Sequence, residues 1–176
     1  GIAKEILRFH VLANSDSEED QKLKLEVKDR LVDYMKDILD GAEDVKETKK
    51  RITENRETIC LVAEQEIQKQ GYTYPVSVNL EKCYFPMKTY GDCTFPAGTY
   101  EALRVCIGKA KGRNWWCVLY PGLWFADSVN VIVPDEKKQE LKNILTEEEY
   151  ESLFDWREDD YQIRSGFLRL WRKLFA

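Results

Sequence analysis

The sequence predicts an α+β domain in which an N-terminal strand and two long helices pack on a mostly antiparallel sheet of hairpins, with further helices at the C-terminus. Three observations carry this. Apolar residues recur every three or four positions from Leu23 to Ile38 and again between Val45 and Gln70; the period drops to two from Tyr72 onward; and Gly or Pro stands at each change. The 176 residues fit one domain, divided into a helical part over 14–70, a β-hairpin part over 72–134 and a C-terminal helical segment over 135–176.

Between Glu5 and Asn14, the cluster Ile6, Leu7, Phe9, Val11 and Leu12 reads as a strand, closed by Asn14-Ser15-Asp16-Ser17. A helix follows, because Ser17 with Asp20, or Asp16 with Glu19, offers an oxygen to free amides, and Glu18, Glu19 and Asp20 suit the positive end of the helix dipole. Leu23, Val27, Leu31, Met35 and Ile38 give it one apolar face until Gly41. A second helix is predicted from Val45 to Gln70, with Ile52, Ile59, Ala63 and Ile67 inward and Gly71 as the stop.

Tyr74, Val76, Val78 and Leu80 then alternate with polar residues, as in a half-buried strand. Tyr84-Phe85 leads through Pro86 to Asp92, and Pro96-Ala97-Gly98 turns the chain before a strand over Thr99 to Ile107. Gly108 to Gly112 reads as a hairpin turn into Asn114 to Tyr120. Setting Cys106 against Cys117 puts Val105 opposite Val118 and Ile107 opposite Trp116. Two adjacent tryptophans on a strand face opposite ways, so Trp115 would then lie on the other side, buried or exposed as an aromatic patch. Thr146 to Glu149 is a capping box that opens an acidic helix. Residues 161–176 form a basic amphipathic stretch, with Ile163, Phe167, Leu170, Trp171 and Leu174 on one side and Arg164, Arg169, Arg172 and Lys173 among the rest. It fits contact with an anionic membrane surface, or a terminal helix laid on its own sheet.

With 27 Lys+Arg against 32 Asp+Glu the net charge is −5, which argues against a nucleic-acid partner. Five cysteines without a C-x-x-C and one histidine give no metal-ligand spacing, and no phosphate-binding loop occurs, so no metal, cofactor or small-molecule substrate is expected. His10 is the lone imidazole and lies far in sequence from every cysteine, so no catalytic residues and no enzyme activity are expected. Cys83 and Cys93 flank one turn and Cys106 and Cys117 another. That spacing suits two disulfides, Cys83–Cys93 and Cys106–Cys117, in an oxidising compartment, or else half-buried free thiols. No run approaches the ~18 apolar residues of a membrane span. Gly1 to Glu5 carry charge too early for a signal peptide, so any export segment is expected upstream of these residues.

Several blocks together resemble the stage II sporulation protein R family of endospore-forming bacteria. They are Leu7-Arg8-Phe9-His10-Val11-Leu12-Ala13-Asn14-Ser15-Asp16-Ser17-Glu18-Glu19-Asp20-Gln21 with Lys22-Leu23-Lys24-Leu25, then Tyr90-Gly91-Asp92, Pro96-Ala97-Gly98-Thr99-Tyr100-Glu101-Ala102-Leu103-Arg104-Val105, and Asn114-Trp115-Trp116-Cys117-Val118-Leu119-Tyr120-Pro121. The resemblance implies a secreted, non-enzymatic signal. Such a protein leaves the forespore for the space between the forespore and mother-cell membranes. There it activates a membrane-bound, aspartic-type receptor protease of the mother cell that processes the sigma-E precursor. One departure is Trp124 after Gly122-Leu123, where family members often carry a cysteine; under the resemblance this leaves Cys106 as the candidate partner of Cys117. His10, Asn14 and Asp16 at a strand end, with Tyr90, Asp92, Trp115 and Trp116 in turns, are the candidate partner-binding residues, each with a fold-supporting role as the competing reading. The alternative function is a peptidoglycan-binding or wall-modifying protein of the same space, using Trp115, Trp124 and Asp92 against glycan.

Overall fold

The computed structural model describes residues 1–122 and 133–154; the stretch 161–176, Trp124 and the end of the acidic segment lie outside them. A short helix α1 (Ile2–Glu5) precedes strand β1 (Leu7–Leu12), which leads into helices α2 (Glu18–Leu39), α3 (Val45–Glu54) and α4 (Arg56–Lys69). Strand β2 (Val76–Phe85), the small hairpin β3 (Lys88–Tyr90) and β4 (Cys93–Phe95), then β5 (Gly98–Ile107) and β6 (Asn114–Tyr120) follow. Helices α5 (Asp135–Ile144) and α6 (Glu147–Phe154) end the described chain. No helix among the described residues is long and apolar enough to cross a membrane.

The α+β class is the one predicted, with a mixed four-stranded sheet ordered β2-β5-β1-β6. β2 pairs antiparallel with β5, and β1 runs parallel to β5 and antiparallel to β6. The expected β5–β6 hairpin therefore does not form, because β1 lies between the two strands. Its six residues, all buried, need covering on both faces, which only an interior strand receives. The expected pairing of apolar faces changes with it. Val105 and Ile107 share the helix-bearing face with Trp115, Cys117 and Leu119, while Trp116 and Val118 point the other way.

Both proposed disulfides are absent, and all five cysteines are free. Cys106 lies beside Leu12 on one face, whereas Cys117 lies beside Phe9 on the other, with β1 between them. Cys83 pairs with Tyr100 in the main sheet, whereas Cys93 pairs with Tyr90 in the separate β3–β4 ladder.

One face of the sheet carries the apolar stripes foreseen for the helices. Leu23, Val27, Leu31 and Met35 of α2, Ile52 of α3 and Ile59, Ala63 and Ile67 of α4 pack on Leu7, Phe9, Val11, Leu103 and Val105. Apart from the smaller Ala63, each such side chain contributes about 1.5–3 kcal/mol when fully buried. The second long helix is in fact two, broken at Asn55. The Asn55 amide and its Nδ2 both donate to the Arg51 carbonyl (3.1 and 2.8 Å), closing α3 before α4 begins. Ser17 caps α2 through the Asp20 amide (3.2 Å), and Thr146 and Glu149 exchange the two bonds of the predicted capping box.

The opposite face is covered as well, by the β3–β4 hairpin, α5 and α6, through Tyr90, Phe95, Leu141, Leu145 and Leu153. Phe85 lies opposite Gly98 in the β2–β5 register, yet its ring is 4.7 Å from that of Trp116, which sits beside His10. The β2–β5 ribbon thus curls over this face and closes on the central strand.

Candidate functional site

β1 places alternate side chains on opposite faces, so Arg8 and His10 project together beneath the curled ribbon. Arg8 is fully buried. Its guanidinium carbon lies 4.4 Å from the centre of the Phe85 ring, 4.8 Å from Tyr100, 5.3 Å from Phe95 and 5.9 Å from Tyr90. Its Nη2 donates to the Tyr90 hydroxyl at 3.2 Å, while among the described residues Nε and Nη1 have no partner and no carboxylate is bonded to it. Burial pushes the Tyr90 phenol up to about 12, so it stays neutral beside the cation.

His10 is 3% exposed, stacked on Trp116 at 5.1 Å and against Phe85 at the same distance. Its Nε2 lies 3.6 Å from Cys83 Sγ, and its Nδ1 has no partner among the described residues. Burial, then Arg104 and Arg8, lower its pKa from 6.5 to about 4. Burial also raises the Cys83 thiol. At neutral pH the pair is therefore imidazole and thiol, without the thiolate a cysteine nucleophile uses.

This sets a pH dependence. The unfolded chain takes up the histidine proton near pH 6.5 and the folded chain only near 4, so the unfolded state holds more protons between those values. The stabilisation is complete above pH 6.5 and is lost as pH falls towards 4. A shift of this size corresponds to roughly 3 kcal/mol. His10→Gln should remove that part of the acid limb, so urea titrations at pH 7 and pH 4.5 should differ by about 2–3 kcal/mol less than in the parent. An unchanged difference would overturn the assignment.

Asn14 and Asp16 act at the end of β1. Since β5 and β6 flank β1, the loop joining them must pass over the chain leaving β1, and these two residues hold it there. Asn14 Oδ1 accepts from the Lys109 amide (2.9 Å) and its Nδ2 donates to Asp20 (2.8 Å); Asp16 accepts from the Arg113 amide (2.8 Å). Ser15 Oγ also donates to Asp20 (2.5 Å), and the buried Lys24 reaches the Arg113 carbonyl (3.1 Å). Burial works to raise the Asp20 carboxyl, but bonds from Ser15, Asn14, Tyr74 and Ser17 outweigh it and hold it below the usual range. Asn14→Ala removes bonds to two elements and should cost about 1–2 kcal/mol in denaturant midpoint measurements. Unchanged stability would mean that the loop over β1 is held without Asn14.

The other candidates are dispersed. Trp115 lies on the helix-bearing face, edge-on to Phe9 (5.8 Å) with Lys28 Nζ 4.9 Å above it. Asp92 fastens α5 to the β3–β4 turn by accepting from the Val133 amide and Lys138 Nζ, each at 2.7 Å. Tyr90 is buried, and Trp116 is half-buried under Lys88. Of the seven, only Asp16 and Asp92 are exposed. Sequence reasoning named Cys83 only as a disulfide candidate and did not bring it, Arg8 or Phe85 to His10; the polar residues at alternate positions of an otherwise apolar strand, Arg8 and His10, were the available signal.

No solved structure matches this chain. The curated Stage II sporulation protein R of Bacillus subtilis (strain 168) is 34% identical over 157 residues, which cover 86% of this chain and 68% of the relative. The profile described as Stage II sporulation protein R matches residues 3–130, a span that takes in β1, the other three strands of its sheet and the loop locked by Asn14 and Asp16. The chain belongs to the stage II sporulation protein R family.

Proposed function

We propose that this protein is the forespore-secreted signal that binds a membrane-bound, aspartic-type receptor protease of the mother cell and switches on processing of the sigma-E precursor. The family match through residues 3–130 carries this reading. The neutral His10–Cys83 pair supports action by binding rather than by nucleophilic chemistry. A ligand activates a receptor only by its higher affinity for the active conformation, so the surface must distinguish two receptor states. The wall-binding alternative draws less support, because Trp115 is packed between Phe9 and Lys28 and Asp92 is engaged by Val133 and Lys138.

The test is the length of the sigma-E precursor in a non-sporulating host that makes precursor and receptor protease, with and without this domain fused to an export signal. Shortening that requires the domain supports the reading. A full-length precursor beside a folded, exported domain would overturn it and turn attention to binding of purified peptidoglycan.

A further inference from the structure

The main sheet ends on one side in β2, and among the described residues no strand pairs with its outer edge. Its ten residues exceed the usual five or six, and its ladder with β5 runs unbroken from Val76 opposite Ile107 to Phe85 opposite Gly98. Natural sheets blunt free edges with short strands, bulges, prolines or charges. Here Pro75 and Pro86 stand just outside the strand, and of its charges, Glu81 and Lys82, the first is tied to Arg104 at 3.2 Å.

The phase of the ladder identifies the outward groups. The Pro75 carbonyl accepts from the Gly108 amide at 2.8 Å, so the odd-numbered residues of β2 exchange bonds with β5. Val76, Val78, Leu80, Lys82 and Tyr84 consequently direct N–H and C=O away from the sheet. The Val76 carbonyl takes a long bond from the Cys60 thiol at 3.7 Å, as an outward carbonyl can. Such a row of groups is complementary to one kind of object, an extended polypeptide.

A groove of about 440 Å³ runs between this edge and α4. Cys60, Leu61, Val76 and Val78 give it an apolar lining, and Leu61 is 53% exposed. Its charges are Glu57 and Glu64 against the single guanidinium of Arg56. An added strand would place alternate side chains into this groove.

We propose that the outer edge of β2 takes an extended segment of the partner as a fifth strand. An apolar side chain of that segment enters the groove beside Leu61, and a lysine or arginine faces Glu57 and Glu64. The net charge of −5 favours such a basic segment over a second copy of this chain. The inference rests on the reading that the protein acts by binding its receptor.

The test uses the whole chain and the purified extracytoplasmic part of the receptor protease. Amide exchange should slow along residues 78–84 on binding. Lys82→Pro removes one outward N–H, a change an edge strand accommodates, and should weaken binding roughly tenfold or more, whereas Lys82→Ala keeps that N–H and should stay within about threefold. Leu61→Lys alters only an exposed helix position, sets a cation where the partner's belongs, and should also weaken binding roughly tenfold. It decides the matter if the proline variant fails to fold. Binding with unchanged exchange along β2, or with Leu61→Lys at parent affinity, overturns the edge assignment and leaves the functional reading intact. Absence of any binding by the parent chain overturns both. A dimer in sedimentation that Lys82→Pro abolishes would give the edge to a second copy and overturn the partner assignment.

Discussion

Arg8→Ala is expected to lower the unfolding free energy by about 3–5 kcal/mol, and Arg8→Met by less than about 1.5 kcal/mol. The argument turns on what the side chain does in its enclosure. It is fully buried, and among the described residues no carboxylate neutralises it and two of its nitrogens donate to nothing, so removal of the charge relieves a desolvation cost. Its favourable contacts are the four surrounding rings and the Tyr90 hydroxyl. Methionine retains much of the volume and touches the same rings, while alanine leaves a cavity among large aromatics that cannot collapse. Arg8→Lys should fall below Arg8→Met, since a compact ammonium keeps the desolvation cost without a planar group to spread over several ring faces. Denaturant titration of the three variants checks the order. A methionine variant as unstable as the alanine variant would mean that the cation itself stabilises the fold.

Gly112→Ala is expected to cost about 3 kcal/mol, or roughly 6–12 °C in midpoint for a chain of this size. A Cβ there would lie 2.6 Å from the Ser15 carbonyl carbon and 2.8 Å from Ala13 Cβ. Neither can give way, because the Gly112 amide is bonded to the Ala13 carbonyl at 2.9 Å and Asp16 holds the neighbouring Arg113. Gly71→Ala provides the comparison. Its φ of +86° strains a side chain, but nothing lies within 4 Å, so about 1 kcal/mol is expected from backbone preference alone. Equal losses at the two positions would mean that the loop over β1 yields easily.

The helices could be read from sequence because each buries one stripe: Leu23, Val27, Leu31 and Met35 all reach the core through a local period. Ser17 and Thr146 were legible as caps for the same reason, since a cap acts within three residues. Asn55 was not, because its polar side chain interrupts no apolar period while closing one helix and opening the next. The insertion of β1 between β5 and β6 left no local trace either. Gly108 and Gly112 look like a hairpin turn, and nothing in their spacing says that a third strand runs beneath. The same blind spot scattered the candidate site. Trp115 and Trp116 were correctly placed on opposite faces, but which face carried the helices depended on a register that β1 sets. Arg8 escaped notice because an arginine in a strand ordinarily marks a solvated face, and only the curl of β2 over the sheet encloses it.

The position of β1 also governs the order in which the molecule can assemble. The strand made earliest in this sheet is the last to be flanked, since Asn14 at its end waits for Lys109, 95 residues later. Contacts so distant in sequence form slowly, after the local helices. Before β6 is made, β1 can pair only with β5, and α2, α3 and α4 have an unfinished sheet on which to dock. Completion of the core therefore falls late, when β6 closes the second side of a strand made long before it.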